Sequence, residues 1–164
     1  MKKGFGLTLI FLVFLLPTST LAFQNEPDGF RGIKWETDIS KRPDMSHVEG
    51  NMYHRKNDKL TIGDANVKHI GYMGYKGKLM AVGVVYEGFL NSEKLQQTLF
   101  QVYGEGQKPN RFLEKYYWFG VNVQISFAYS KITNRGKILY NYRPLWEERK
   151  RDLKEAAKKG AGDL

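Results

Sequence analysis

Val121-Asn122-Val123-Gln124-Ile125-Ser126-Phe127-Ala128-Tyr129 carries apolar side chains at every odd position and small or polar ones at every even position. A strict period of two is the signature of a strand with one buried and one wetted face. No other stretch of the 164 residues alternates so cleanly. It is therefore expected to lie in the middle of the sheet on which the domain is built.

The neighbouring stretches extend this sheet. Residues 112–118 read as a strand, Phe119-Gly120 as a tight turn and 121–130 as the next strand. Thr133-Asn134-Arg135-Gly136 makes a second connection, and 137–143 form the last strand, ended by Pro144. With the turn at Phe119-Gly120, Trp118 falls opposite Val121 and Tyr116 opposite Val123, all on the buried side. Ile138, Tyr140 and Tyr142 join them as the apolar set of the last strand. The other face then carries Lys115, Tyr117, Asn122, Gln124, Ser126, Asn141 and Arg143. It is polar and basic at its margins, and it is the expected binding surface.

Upstream, residues 52–55 and 59–62 flank Asn57-Asp58, a pair suited to a two-residue hairpin. Residues 66–75 and 78–87 flank Lys76-Gly77, where glycine supplies the positive φ of a tight turn. In the second of these strands Val82, Val84 and Tyr86 share one face, with Leu79, Ala81 and Val85 on the other. Both faces are apolar, so the strand is expected to be central. Residues 41–50 contain Pro43, lack periodicity and read as a loop. Asn91-Ser92 offers a helix N-cap, Leu95, Leu99, Val102 and Tyr103 form one apolar stripe, and Gly104 ends the helix. Residues 145–159 read as a second helix with a thin stripe of Trp146, the Arg149 stem, Leu153 and Ala156 or Ala157. The order strands, helix, strands, helix predicts an α+β fold, a mostly antiparallel sheet of two meanders with helices packed on one face.

The N-terminus reads as an address. Lys2 and Lys3 precede an apolar run at 7–16, Pro17 breaks it, and Thr20-Leu21-Ala22 places small residues at a cleavage site. A membrane-spanning helix needs about 20 apolar residues, and this run is shorter. The expected organisation is a cleaved signal peptide at 1–22, one α+β domain at 23–144, and a basic helix with a frayed tail at 145–164. No transmembrane segment is expected in the mature form. The chain has no cysteine, which excludes disulfides, thiol nucleophiles and Cys-ligated zinc. Its net charge of +9 includes Lys2 and Lys3. The basic balance favours anionic partners, and export makes nucleic acid the least suitable of them.

The segment Gly32-Ile33-Lys34-Trp35-Glu36-Thr37, just after the apolar leader, resembles the G-I-x-W-G-T opening of uncharacterised small exported proteins of Gram-negative bacteria. The resemblance covers residues 30–40, with echoes at Tyr103-Gly104 and Tyr117-Trp118. Glu36 stands where that pattern carries glycine. The resemblance implies a periplasmic location and assigns no chemistry.

No G-x-S-x-G, H-E-x-x-H or P-loop pattern occurs. Gly104-Glu105-Gly106 follows a helix instead of opening one, so it reads as a stop signal. His47, His54 and His69 have no metal-ligand spacing, and Asp38, Glu105 and Glu114 show no pairing that suggests acid–base work. No catalytic residue, metal or cofactor is expected. The leading expectation is a non-catalytic periplasmic domain that binds an unknown partner through an open sheet face. The alternative is a peripheral envelope protein drawn to anionic lipid or polysaccharide by the basic C-terminal helix. A hydrolase is the third, and a deep pocket holding two carboxylates, or a histidine with a carboxylate, would favour it.

Overall fold

A computed structural model describes residues 23–161. The expected signal peptide at 1–22 and residues 162–164 of the expected tail lie outside the described residues. In chain order the elements are β1 (Gly29–Phe30), β2 (Ile33–Lys34), β3 (Met45–His47), β4 (Met52–Arg55), β5 (Thr61–Ile62), β6 (Ala65–Asn66), β7 (His69–Tyr75) and β8 (Lys78–Glu87). They are followed by α1 (Phe89–Tyr103), β9 (Glu114–Phe119), β10 (Val123–Ser130), β11 (Arg135–Tyr142) and α2 (Arg143–Ala161). The fold is α+β. Seven strands form one antiparallel sheet in the order β3-β4-β7-β8-β11-β10-β9, beside the small hairpins β1-β2 and β5-β6.

The topology follows from one crossing. After β8 the chain runs through α1 and re-enters at the far edge as β9, then returns through β10 and β11 to pair with β8. Leu95 and Leu99 of α1 join Val82, Val84, Tyr86, Trp118, Ile125, Phe127 and Ile138 in the main core. This inner face is closed further by Phe30, Ile33 and Trp35 from the first hairpin. Tyr86 stacks on Phe127 and Tyr129, and its ring passes so close to Gly136 that a Cβ there would lie 2.1 Å from it.

The Lys76-Gly77 hairpin forms as expected, with φ of 49° and 79° at the two turn residues and Tyr75 opposite Lys78. Immediately beyond it, β8 is bulged. Gly74 pairs with Leu79 and Met73 with Ala81, which leaves Met80 without a partner position. The extra residue turns Leu79 inward, into the cluster with Val82 and Val84, rather than outward with Ala81 as the alternation predicts. Met80 and Ala81 are buried outside that cluster, as is Leu145 of α2. Tyr75 donates its hydroxyl proton to Asp152 of α2, and Lys76 reaches both Glu148 and Asp152 at 2.7 Å. The second helix thus packs over β8 and β11 at this end of the sheet.

Other expectations are corrected by pairing. Residues 59–62 do not return along β4, because β5 pairs with β6 while β4 pairs with β3 and β7. The segment read as a loop contains β3, whose Met45 is buried. The start of α1 lies ahead of the expected cap, at Gly88. Asn91 instead ties the helix to its surroundings, donating to the Glu87 carbonyl and accepting from the Asn66 amide. Gly104 ends α1 with φ 78°, as expected, but Val102 is exposed, so the stripe is narrower than the spacing suggests. The turn after β9 is longer than Phe119-Gly120. Trp118 lies opposite Ile125 and Tyr116 opposite Phe127, four residues from the expected partners. A shift by an even number preserves every face, so the sorting of inner from outer residues survives the wrong register.

Glu36 is one of the few non-glycine residues with positive φ, at 64°. It occupies the place where the resembled pattern has glycine, the residue for which that backbone costs least.

Candidate functional site

Outward-facing positions of neighbouring strands fall into rows across the sheet. One row runs Lys115, Ala128, Lys137, Val85 and His69; the next runs Tyr117, Ser126, Leu139, Gly83 and Gly71. A third runs Phe119, Gln124, Asn141, Ala81 and Met73. Lys115, Tyr117, Gln124, Ser126 and Asn141 are thus brought together as the alternation predicts. They are not equally available. Asn141 is half-buried beside buried Ala81, and its Oδ1 is enclosed without a hydrogen-bond partner. Tyr117 stacks on Phe119, while its backbone pairs with Gln107 outside the regular edge.

Asn122 and Arg143 belong to a different construction. The Glu26 carboxylate accepts hydrogen bonds from three consecutive amides at the β9–β10 turn, those of Val121, Asn122 and Val123. Successive amides aimed at one point make an anion-binding nest, here filled by a side chain of the same molecule. The Arg143 guanidinium donates to the Gly120 and Val121 carbonyls, and its backbone amide to the Asn122 carbonyl. Both residues therefore brace the turn, and neither lies in the open rows. No pattern in the sequence marks Glu26, because its partners are backbone groups almost a hundred residues away.

The part of the face left open lies on the first row. A shallow trough of about 310 Å³ is lined by Val85, Lys115, Ala128, Ser130, Arg135 and Lys137, and its wall is almost wholly apolar. Lys115 and Lys137 flank Ala128 from the two adjacent strands, placing their backbones roughly 10 Å apart. Among the described residues neither lysine has an ion-pair partner. The pair can hold an anionic group above an apolar floor. Lys137 was legible in principle, since it shares the parity of Asn141 along Lys137-Ile138-Leu139-Tyr140-Asn141.

The histidines and most of the acidic residues singled out in the sequence are engaged elsewhere. His54 and His69 meet edge to face with ring centroids 4.4 Å apart, and burial, then the neighbouring His54, depresses the pKa of His69. His47 hydrogen-bonds the Gly50 carbonyl. Among the described residues no group of three or more His, Cys, Asp or Glu side chains is placed to hold a metal ion. Asp44 and Asp58 share a basin with Arg31 and Arg55. The Arg42 guanidinium holds the Asp44 carboxyl down at about 2, with Arg55 adding to it. Asp58 accepts from Arg31 and Tyr72. A general base works best with a pKa near the operating pH, and Asp44 is far below it. Asp38 is tied to Ser40 and Lys41, and Glu114 to Lys108.

No family model matches this chain, and no curated protein or solved structure matches it.

Proposed function

We propose that the protein is an exported, periplasmic, non-catalytic binding domain that takes an anionic partner on the open rows of its outer sheet face. The observation that carries this reading is the Lys115–Ala128–Lys137 row: two cations without acidic partners among the described residues, over an apolar floor. Desolvating a cation without a counter-charge is unfavourable, so a partner that covers this row has to bring negative charge. Tyr117, Ser126 and Gln124 continue the surface with hydrogen-bonding groups.

Export is supported by the leader-like residues 1–22 and by the packing of the residues next to them. Phe23 packs edge-on against Tyr103 at 5.5 Å, Gln24 donates to the Tyr103 carbonyl and Asn25 to the Val102 carbonyl. Residues directly after Ala22 are therefore part of the fold, which fits cleavage at that point.

The test is affinity capture from a periplasmic extract with the native chain and with Lys115→Glu/Lys137→Glu as baits. Both side chains are exposed, so the variant should melt like the native chain. The expected result is a partner retained by the first bait and reduced at least tenfold on the second. Equal recovery on both would remove the open rows as the binding surface.

A further inference from the structure

We infer that the end of the molecule opposite α2 is a lipid-contacting tip, which seats the protein on an anionic membrane surface. Three connections meet there. Gly88 donates to the Asn134 carbonyl, and the Phe89 ring lies 6.3 Å from that of Tyr129. Tyr129 in turn lines a hollow of about 410 Å³ with Phe112, Leu113, Lys115, Lys131 and Ile132. Ile132 is 97 % exposed, Phe112 80 % and Leu90 70 %, with Phe89 and Leu113 also exposed. Large apolar side chains gathered at one exposed site mark an interaction surface.

The charges around these side chains select the partner. Arg111 lies over the Phe112 ring at 4.7 Å, Lys131 precedes Ile132, and Lys115 stands on the rim. Among the described residues none of the three has an acidic partner, whereas Glu114 is neutralised by Lys108 and Glu87 by Arg135 and Lys68. The tip thus presents apolar ends in front and uncompensated cations beside them. That arrangement matches the boundary of a bilayer with negatively charged headgroups, where acyl chains take the apolar groups and phosphates the cations. The apolar groups come from three separate connections, and a fluid surface can close around such a scattered set. The tip shares Lys115 with the sheet-face row, but the variants that test the tip on vesicles leave Lys115 native, so the tip can fail without the sheet-face reading failing.

Basic α2 is the competing attachment site. Its Leu145 is already buried in the fold, and Leu153 is left 54 % exposed among charged neighbours. It supplies charge with little apolar surface.

Sedimentation with vesicles of phosphatidylglycerol and phosphatidylcholine, using the chain from Phe23 onward, separates the two. The native chain should bind, and Phe112→Ser/Ile132→Ser should bind at least tenfold more weakly with an unchanged melting temperature. Arg111→Glu/Lys131→Glu should lose binding to a similar degree, and Lys154→Glu/Lys158→Glu should keep most of it. Because the chain has no cysteine, Ile132→Cys and Lys158→Cys each accept a single environment-sensitive dye. Emission should shift to the blue on vesicles at position 132 and stay constant at 158, a reading that holds even if the serine variant folds poorly. Failure of the native chain to bind, a loss confined to the α2 variant, or a blue shift only at 158 would each overturn the inference.

Discussion

Ile125 and Ile132 stand seven residues apart around one hairpin, yet the first is fully buried and the second 97 % exposed. Ile125 lies in β10, which is the strand beside edge strand β9 and not the middle of the sheet as the alternation suggested. It sits opposite Trp118 on one side and Tyr140 on the other, in the core shared with Leu95 and Leu99 of α1. Ile132 sits in the connection between β10 and β11, where no element covers it. The same side chain stabilises the fold in one region and leaves apolar surface in water in the other. Apolar residues in the core are accounted for by packing. Those at the tip are not, and a function is the better account of them.

The largest expected effect breaks this comparison directly. Ile125→Ala should cost ~2–5 kcal/mol, because the lost methylenes leave a cavity in a packed layer. Ile132→Ala should change stability by less than about 0.5 kcal/mol, and so should Gln124→Ala on the half-buried outer side of β10. Chemical denaturation of the three variants checks the ranking. A Gln124→Ala variant as unstable as Ile125→Ala would mean that the outer rows are not open, and the proposed binding face would fail with them.

A smaller effect is expected at the opposite end of β10, where Glu26 holds the β9–β10 turn. Glu26→Ala leaves the amides of Val121, Asn122 and Val123 without their acceptor, and this should cost about 1–3 kcal/mol. Hydrogen exchange at those three amides should accelerate while exchange in the middle of β10 changes little. Unaltered protection at the turn would show that the carboxylate does not hold it. Both connections are held by hydrogen bonds, this one by the Glu26 carboxylate and the β10–β11 one by Gly88, Tyr129 and Ser130. Only the latter carries a nearly fully exposed isoleucine, which sharpens the contrast between them.

The least effect is expected at the α2 attachment. Hydrogen bonds from Lys76 and then Tyr75 lower the pKa of Asp152, while Asp152 and Glu148 raise that of Lys76. A lowered carboxylate contributes stability that is present above its unfolded value, near 4, and lost as pH falls through the lowered one. A raised lysine contributes below its unfolded value and loses that contribution as pH rises through the raised one. The attachment should therefore be constant at neutral pH, weaken in acid below about pH 4 and weaken again in strong alkali. These groups are solvent-exposed, so the change should be confined to the helix. The Tyr75 ring resonances, followed by NMR against pH, should move with the acid transition in the native chain and not in Asp152→Asn. Loss of the whole fold over the same interval would refute a local effect.

Much of the sheet was legible because its signals are local. The alternation in 121–129 identified β10, Lys76-Gly77 identified the β7–β8 turn, and Gly104 the end of α1. The face assignment of Lys115, Tyr117, Gln124, Ser126 and Asn141 held even though the β9–β10 register was four residues off. Side-chain direction depends only on parity, and the shift was even. Parity failed at Leu79, where one extra residue in β8 reversed it. The two-residue hairpin expected at Asn57-Asp58 failed for another reason. Its turn chemistry was plausible, but the longer β7 took the edge of β4 that the hairpin would have used.

The candidate site divides in the same way. That Lys115 and Gln124 point outward was fixed by the order of residues along each strand. That Lys115 and Lys137 flank the same alanine depended on β11 returning beside β10, and that Asn141 is half-buried depended on how the chain packs beyond it. Asn122 and Arg143 stay exposed but lie outside the paired rows, taken up in a turn whose carbonyls and carboxylate come together only in the folded chain. By itself the sequence determined which residues face which way, where the chain turns sharply, and that the molecule is basic and free of disulfide chemistry. The tertiary structure alone decided which outward residues remain exposed and which cations lack a counter-charge. Both depend on distances between segments remote in the chain, and periodicity carries no record of them.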